Sequence, residues 1–316
     1  MMIQIFKFTV IVMALYCGLS SCRGKTEKVS TEREKKKDVV FSLPDIPLTI
    51  ATAEARNSYL VMHYWDHFDF SDTSLISKPE ITEQVFVDFI QLVQQSKQSA
   101  SGINAMLNAS KQNKSFLIHM CDLSEKYLYD PNSPMRNEEL YIPVLEYIIG
   151  TEMLSDEEKI RPKYQLEMLQ KNRLGHIATD FSYMLSNGTR GNLSEIDAEY
   201  TILFFNDPDC HDCQRVKTYI EQSKVFSQIM IPEENNRSEA RMIVLGIYPG
   251  VNEEGWKATA YPDVMLNAYD ASLTIMNEEL YDLKAFPSLY LLDKNKRVLL
   301  KDAQIEAIEK WIEKNM

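Results

Sequence analysis

Glu199-Tyr200-Thr201-Ile202-Leu203-Phe204-Phe205, then Asn206-Asp207-Pro208-Asp209, then Cys210-His211-Asp212-Cys213, then Gln214 to Gln222, is the stretch on which the fold turns. Its first seven residues form a short apolar run rich in β-branched and aromatic side chains, the pattern of a buried strand. Gln214 to Gln222 reads as helix. The C-x-x-C therefore lies where a strand gives way to a helix. A cysteine at a helix N-terminus faces unpaired N–H groups and the positive end of the dipole, which stabilise its thiolate. The second cysteine follows one turn later, near enough to close or open a disulfide with little backbone movement. The competing reading is half of a zinc site. Zinc needs further ligands, the sequence holds no second C-x-x-C, and His211 between the two thiols cannot easily join them. Spacing favours a redox pair, with no metal and no cofactor expected.

Downstream of this stretch, Met242 to Tyr248, Leu289 to Leu292 and Val298 to Leu300 are further strand-like runs. Asp293 to Arg297 suits a hairpin loop, and Gln304 to Lys314 an amphipathic closing helix. Strands alternating with helices predict an α/β layer structure. Upstream, from Pro44 to about Arg173, the period is helical: Ile81, Val85, Phe86, Phe89 and Val93 mark one buried face. Similar stripes run through Phe116 to Tyr129 and Leu140 to Ile149, the latter closed by Gly150. Pro131, Asn132 and Pro134 mark a turn between helices. Ser155-Asp156-Glu157-Glu158 reads as a capping box opening a long helix that Gly175 ends. The expectation is an all-α domain of five or six helices over residues 44–173, followed by an α/β domain over 174–316.

The N-terminus reads as an address. Lys7 precedes an uncharged, mostly apolar run from Phe8 to Tyr16, too short for a bilayer span. Leu19-Ser20-Ser21-Cys22 resembles a bacterial lipobox, against the plainer reading of an ordinary signal peptide with an incidental cysteine. Residues 1–21 are thus expected to be a lipoprotein signal peptide and Cys22 to carry lipid. Residues 22–43 are expected to be a flexible tether: Arg23 to Asp38 holds seven Lys or Arg, four acids and a single apolar residue, Val29. A cell-envelope location follows, lipid-anchored and facing the periplasm, where disulfides persist. Lys and Arg number 34 against 46 Asp and Glu, a net charge of −12, which disfavours nucleic acid as a partner. Ten glycines leave little material for phosphate-cradling loops, and Gly250 to Gly255 is not a P-loop.

Two further segments sharpen the reading. Gly175-His176-Ile177-Ala178-Thr179-Asp180-Phe181 resembles the lead-in of TlpA-like thioredoxin-fold thiol–disulfide oxidoreductases, and Phe286-Pro287-Ser288-Leu289-Tyr290-Leu291-Leu292-Asp293 resembles their cis-proline strand. The interval from Cys213 to Pro287 suits the TlpA-like variant, which carries an insertion there. Tyr64 to Phe70 and Tyr127 to Glu139 resemble the helical domain of unknown function that precedes such modules in certain Gram-negative lipoproteins. The resemblance implies a thioredoxin-like domain, a central mixed sheet flanked by helices, over 174–316. It implies that the Cys210 thiolate attacks a protein disulfide, Cys213 resolves the mixed disulfide, and Phe286 and Pro287 hold the substrate backbone. Protein thiols or disulfides and an upstream redox donor would be the partners. The chain departs from the family at two places: Asp209 replaces the usual tryptophan, and Phe204 stands where thioredoxins bury an acid. Asp209 and Asp212 disfavour a thiolate, while a protonated His211 would favour one, so His211 and Asp212 are modulating residues of opposite sign. A non-catalytic scaffold, with the helical domain recognising an envelope partner, is the alternative.

Other candidates are weaker. His63 and His67 would share a helical face beside Asp66, but Tyr64 replaces the glutamate of H-E-x-x-H, and two partly buried rings are the simpler reading. Cys121 lies on the stripe of Phe116, Leu117 and Met120 and reads as a small core side chain. Asp66, Asp69 and Asp72 read as a solvated face. Mass spectrometry of the mature chain should find Cys22 as its lipid-bearing first residue; an unmodified Cys22, or cleavage elsewhere, refutes the address.

Overall fold

The structure is a computed structural model that describes residues 41–230 and 241–315. The expected signal peptide, Cys22 and most of the expected tether lie outside the described residues. All described residues belong to one unit of the chain.

The first half is helical: α1 Ala53–His63, α2 Pro79–Val93, α3 Ser99–Ser110, α4 Lys114–Leu128, α5 Glu138–Gly150 and α6 Ile160–Gln170. Local chemistry sets the starts. Thr52, Asn113 and Asn137 accept backbone N–H bonds as N-caps, and Pro79 opens α2, where its missing N–H costs nothing. The predicted stripe on α2 is buried at Val85, Phe86, Phe89 and Val93. Helix α5 is buried from Leu140 through Leu145 and packs against α3, α4 and α6, so it is the central helix. Packing begins before Pro44: the Phe41 ring lies 5.1 Å from Tyr64 and joins the same core.

Two expectations are corrected here. The Ser155–Glu158 box does form, with Ser155 N–H donating to Glu158 Oε2 at 2.7 Å and Glu158 N–H to Ser155 Oγ at 3.3 Å. It closes only a turn, however, and helix begins at Ile160. That helix stops at Gln170, not at Gly175, because Asn172 turns to φ 50° and gives its side chain to the other half of the molecule. Its Nδ2 donates to Leu280 O at 2.8 Å and its Oδ1 accepts from Thr179 N–H at 2.7 Å.

The second half carries seven strands and five helices: β1 Ser182–Leu185, β2 Arg190–Asn192, β3 Tyr200–Phe205, α7 His211–Gln222, α8 Lys224–Met230, β4 Met242–Tyr248, α9 Glu253–Ala258, β5 Met265–Tyr269, α10 Thr274–Asn277, β6 Ser288–Asp293, β7 Val298–Leu300 and α11 Ile305–Asn315. The sheet runs β2-β1-β5-β4-β3-β6-β7. Strands β3, β4 and β5 are parallel neighbours, and β6 pairs antiparallel with β3, so the sheet is mixed as expected. Alternate residues of β3 feed two cores. Ile202 and Phe204 meet α7, α8 and α11, while Leu203 and Phe205 meet Phe181, Ile275 and Tyr281. Burial on both faces explains why β3 and β4 read as unbroken apolar runs. Strands β1, β2 and β5 escape a sequence reading because they are short and carry polar or small residues.

Gly102 is where α1 and α3 touch: a Cβ there would lie 2.2 Å from Val61 Cγ1, on a buried, stiff side chain. Gly102→Ala would gain about 1 kcal/mol of helix propensity and lose about 1–3 kcal/mol to overpacking. Chemical denaturation should therefore show a lower midpoint for the variant, and a higher one would refute this contact.

Candidate active site

Strand β3 ends at Phe205 and the chain turns through Asn206–Asp209, with Asp207 Oδ1 accepting Asp209 N–H at 2.9 Å and Asp207 O accepting Cys210 N–H at 3.2 Å. Cys210 is the N-cap of α7: its Sγ accepts Cys213 N–H at 3.0 Å, the place a Ser or Asp oxygen takes in other helices. Cys210 and Cys213 are joined as a disulfide with Cα atoms 5.2 Å apart. Cys213 is fully buried, whereas Cys210 is half-buried and His211 and Asp212 are exposed. The sulfur that a partner can reach belongs to Cys210.

The register of β3 against β6 brings the second element to this place. Phe205 faces Ser288 and Phe204 faces Leu289, so β6 starts at the sheet end where β3 stops. The Phe286–Pro287 bond, immediately before β6, is cis. Phe286 and Cys210 pack against the same apolar cluster. The residues named for chemistry, Cys210, His211, Asp212, Cys213, Phe286 and Pro287, thus occupy one end of the sheet, while Cys22 lies outside the described residues.

Behind the pair, Phe204 is fully buried in the position where an acid was absent from the sequence. The buried polar groups are others, and sequence reading missed them. Lys217 is 3% exposed, with its Nζ 4.5 Å from the centre of the Tyr261 ring and 3.5 Å from Ala260 O. Tyr261 donates to Asn206 Oδ1, and Asn206 Nδ2 donates to Phe204 O at 3.1 Å and to Ile247 O at 3.2 Å. Gly246 makes room: a Cβ there would lie 2.4 Å from the Tyr261 ring. Burial lowers the Lys217 pKa and raises that of Tyr261. The missed signal was available, since Cys213, Val216, Lys217 and Ile220 follow the spacing of one buried helical face.

The remaining candidates have structural roles. Helix α1 ends at His63, whose Nδ1 lies 2.8 Å from Asp66 Oδ2; His67 meets Ser42 Oγ at 3.3 Å, so the two histidines share no helix face. Asp69 accepts the Ser71 hydroxyl and N–H, which holds its carboxyl below the usual range, and Asp72 caps the short helical turn Thr73–Ser77. Cys121 packs against the helical core, and burial, then Asp122, pushes its thiol up to about 12, so it stays protonated. Among the described residues no three His, Cys, Asp or Glu side chains gather into a metal-binding group.

A mixed sheet with a disulfide-forming C-x-x-C at a strand–helix junction and a cis proline just before the adjoining strand defines a thioredoxin-like protein. Comparison with known proteins agrees. A thioredoxin-like protein from Bacteroides caccae is 42% identical, with 87% of this chain and 99% of that chain covered and a TM-score of 0.82. This chain belongs to that thioredoxin-like family. The C-terminal domain of an uncharacterized protein from Bacteroides fragilis is 40% identical over 45% of this chain and 98% of its own, with a TM-score of 0.42. A conserved Bacteroides fragilis protein of unknown function is 33% identical over 44% and 98%, with a TM-score of 0.41. Residues 21–172 match a domain of unknown function, DUF5106. No curated protein matches. Family and cysteine pair together support a redox function in general terms.

The desolvated Lys217 yields a pH test. Its folded pKa lies below the usual lysine value of about 10.4. Between those two values the unfolded chain binds more protons, so stability rises with pH there. Wild type should therefore gain stability relative to Lys217→Met as pH climbs from neutral towards about 10, read by denaturation at each pH. A difference that stays flat or moves the other way refutes a buried ammonium.

Proposed function

We propose that this protein is a cell-envelope thiol–disulfide oxidoreductase, held at the membrane by lipid on Cys22, that acts on protein disulfides. The observation that carries the reading is the asymmetry of the pair: one reachable sulfur at a helix N-terminus, one fully buried sulfur behind it, and a cis proline alongside. In the reduced form the Cys210 thiolate attacks one sulfur of the substrate disulfide. A mixed disulfide forms and the first substrate thiolate leaves. The Cys213 thiolate then attacks Cys210 Sγ, the Cys210–Cys213 disulfide closes, and the second substrate thiolate departs. Two electrons pass from the pair to the substrate, each departing thiolate takes up a proton, and an upstream dithiol donor restores the pair.

The helix dipole and the N–H groups of the first turn of α7 favour the Cys210 thiolate, while Asp209 and Asp212 oppose it. Phe204 offers no base to deprotonate Cys213. Resolution is then the slower half-reaction, with His211 or water as the proton acceptor.

Replacing Cys213 by Ser should leave attack intact and strand partner proteins as mixed disulfides on Cys210, visible as species that collapse on reduction. Cys210→Ser should abolish both exchange and trapping. A Cys213→Ser protein that traps nothing, together with wild type that cannot reduce insulin, would replace the enzyme by a thioredoxin-fold scaffold.

A further inference from the structure

The loop between α4 and α5 reaches the same end of the sheet as the cysteine pair. Pro131, Asn132 and Arg136 from that loop line a cavity of about 190 Å³ together with Asp212, Phe286 and Pro287. Pockets for cofactors and drug-sized molecules run to about 300–1,000 Å³, so this one has room for a single side chain.

Both walls are fixed. Arg136 Nη1 lies 2.9 Å from Asp302 Oδ2, with the two side chains 15% and 11% exposed. Lys284, three residues before Pro287, is paired with Glu138 at the start of α5 and with Asp282 at 2.9 Å; its Nζ stands 4.1 Å from the Tyr129 ring centre. Lys301 reaches the other oxygen of Glu138 at 3.0 Å. The loop itself is tied down by Ser133 Oγ donating to Tyr127 O at 2.6 Å and Asn137 N–H donating to Leu128 O at 3.0 Å. The helical half thus forms part of the surface around cis-Pro287.

Charge decides what the cavity accepts. Arg136 is neutralised by Asp302, and Arg215, also on the wall, by Glu306 at 2.8 Å. Asp212 also lines the cavity and has no ion-pair partner among the described residues, while Phe286 and Leu289 give the wall its apolar part. We propose that this cavity is a substrate subsite, built jointly by the helical half and the cis-proline loop, that takes a Lys or Arg side chain of a polypeptide next to its disulfide-bonded cysteine. The aliphatic stem lies along the apolar wall and the cationic end meets Asp212. The proposal rests on the thiol–disulfide reading and adds the substrate class: basic polypeptide disulfides in preference to small ones.

The test uses the full chain and three disulfide substrates: two peptides alike except for Lys or Glu beside the cysteine, and bis(2-hydroxyethyl) disulfide. Wild type should favour the Lys peptide over the Glu peptide by about threefold to fivefold in kcat/KM, the effect of one exposed ion pair. Asp212→Asn should erase that preference. Asn132→Trp, at an exposed loop position, should fill the cavity and lower the ratio of peptide to small-disulfide turnover by about tenfold. Equal turnover of the two peptides by wild type, or an unchanged ratio in Asn132→Trp, overturns the subsite. Failure of wild type on all three substrates instead refutes the redox reading. The cavity is then judged alone by titrating the oxidised protein with the Lys peptide carrying Ser in place of Cys. Movement of the Asn132 and Gln304 side-chain amide signals supports the subsite, and static signals overturn it.

Discussion

The antiparallel pairing of β3 with β6 is the constraint on which the rest depends. The proposed thiol–disulfide exchange brings the C-x-x-C and the cis proline together, yet they lie far apart in the chain. With Phe205 opposite Ser288, the strand that ends before the cysteines and the strand that begins after the proline meet at one end of the sheet. A shift of one residue would exchange the faces of every side chain on β6 and move Leu289 and Leu291 from the α7–α8–α11 core to the opposite one. Burial on both faces makes that exchange costly. The hydrophobic sandwich therefore sets the geometry of the thiol site.

A second constraint joins the two halves. Glu138, in the first turn of α5, meets Lys284 and Lys301 across the interface, and Lys284 also meets Asp282. Burial pushes the Glu138 carboxyl up, but Lys301 and Lys284 outweigh it and hold the group below its usual range. For Asp302 burial wins over the nearby Arg136, and its carboxyl is raised. Buried ion pairs add little net stability, because desolvation offsets attraction; removing one partner is what costs. Their consequence here is positional: Glu138 is shared between Lys284 and Lys301, so the segment before Pro287 and the segment after β7 both meet the start of α5.

The space behind the cysteines is filled differently from the pattern the thioredoxin resemblance implied. Phe204 adds apolar bulk in place of an acid, and Lys217, Tyr261 and Asn206 supply the buried polarity. Lys217 lies one helical turn from Cys213 on the buried face of α7 with its Nζ over the Tyr261 ring, whereas Asp209 and Asp212 are exposed beside Cys210.

The sequence by itself determined the features that depend on neighbours a few residues away. The C-x-x-C at a strand–helix junction, the apolar runs of β3, β4, β6 and β7, and the stripe on α2 are all local periodicities, legible because spacing alone dictates which face is buried. Lys217 was equally legible by spacing, but its charge concealed its place on the buried face of α7. Tertiary structure decided the rest. Strands β1, β2 and β5 are too short or too polar to be read alone, and they exist because the sheet edge beside them supplies partners. Helix α6 stops at Gln170 because Asn172 finds Leu280 and Thr179 across the interface. Pro131 and Arg136 stand beside Pro287 through ion pairs between residues remote in sequence. No local pattern encodes such a contact: it forms only once the sheet and the helices are both in place, when the desolvation of each charge can be met by its partner.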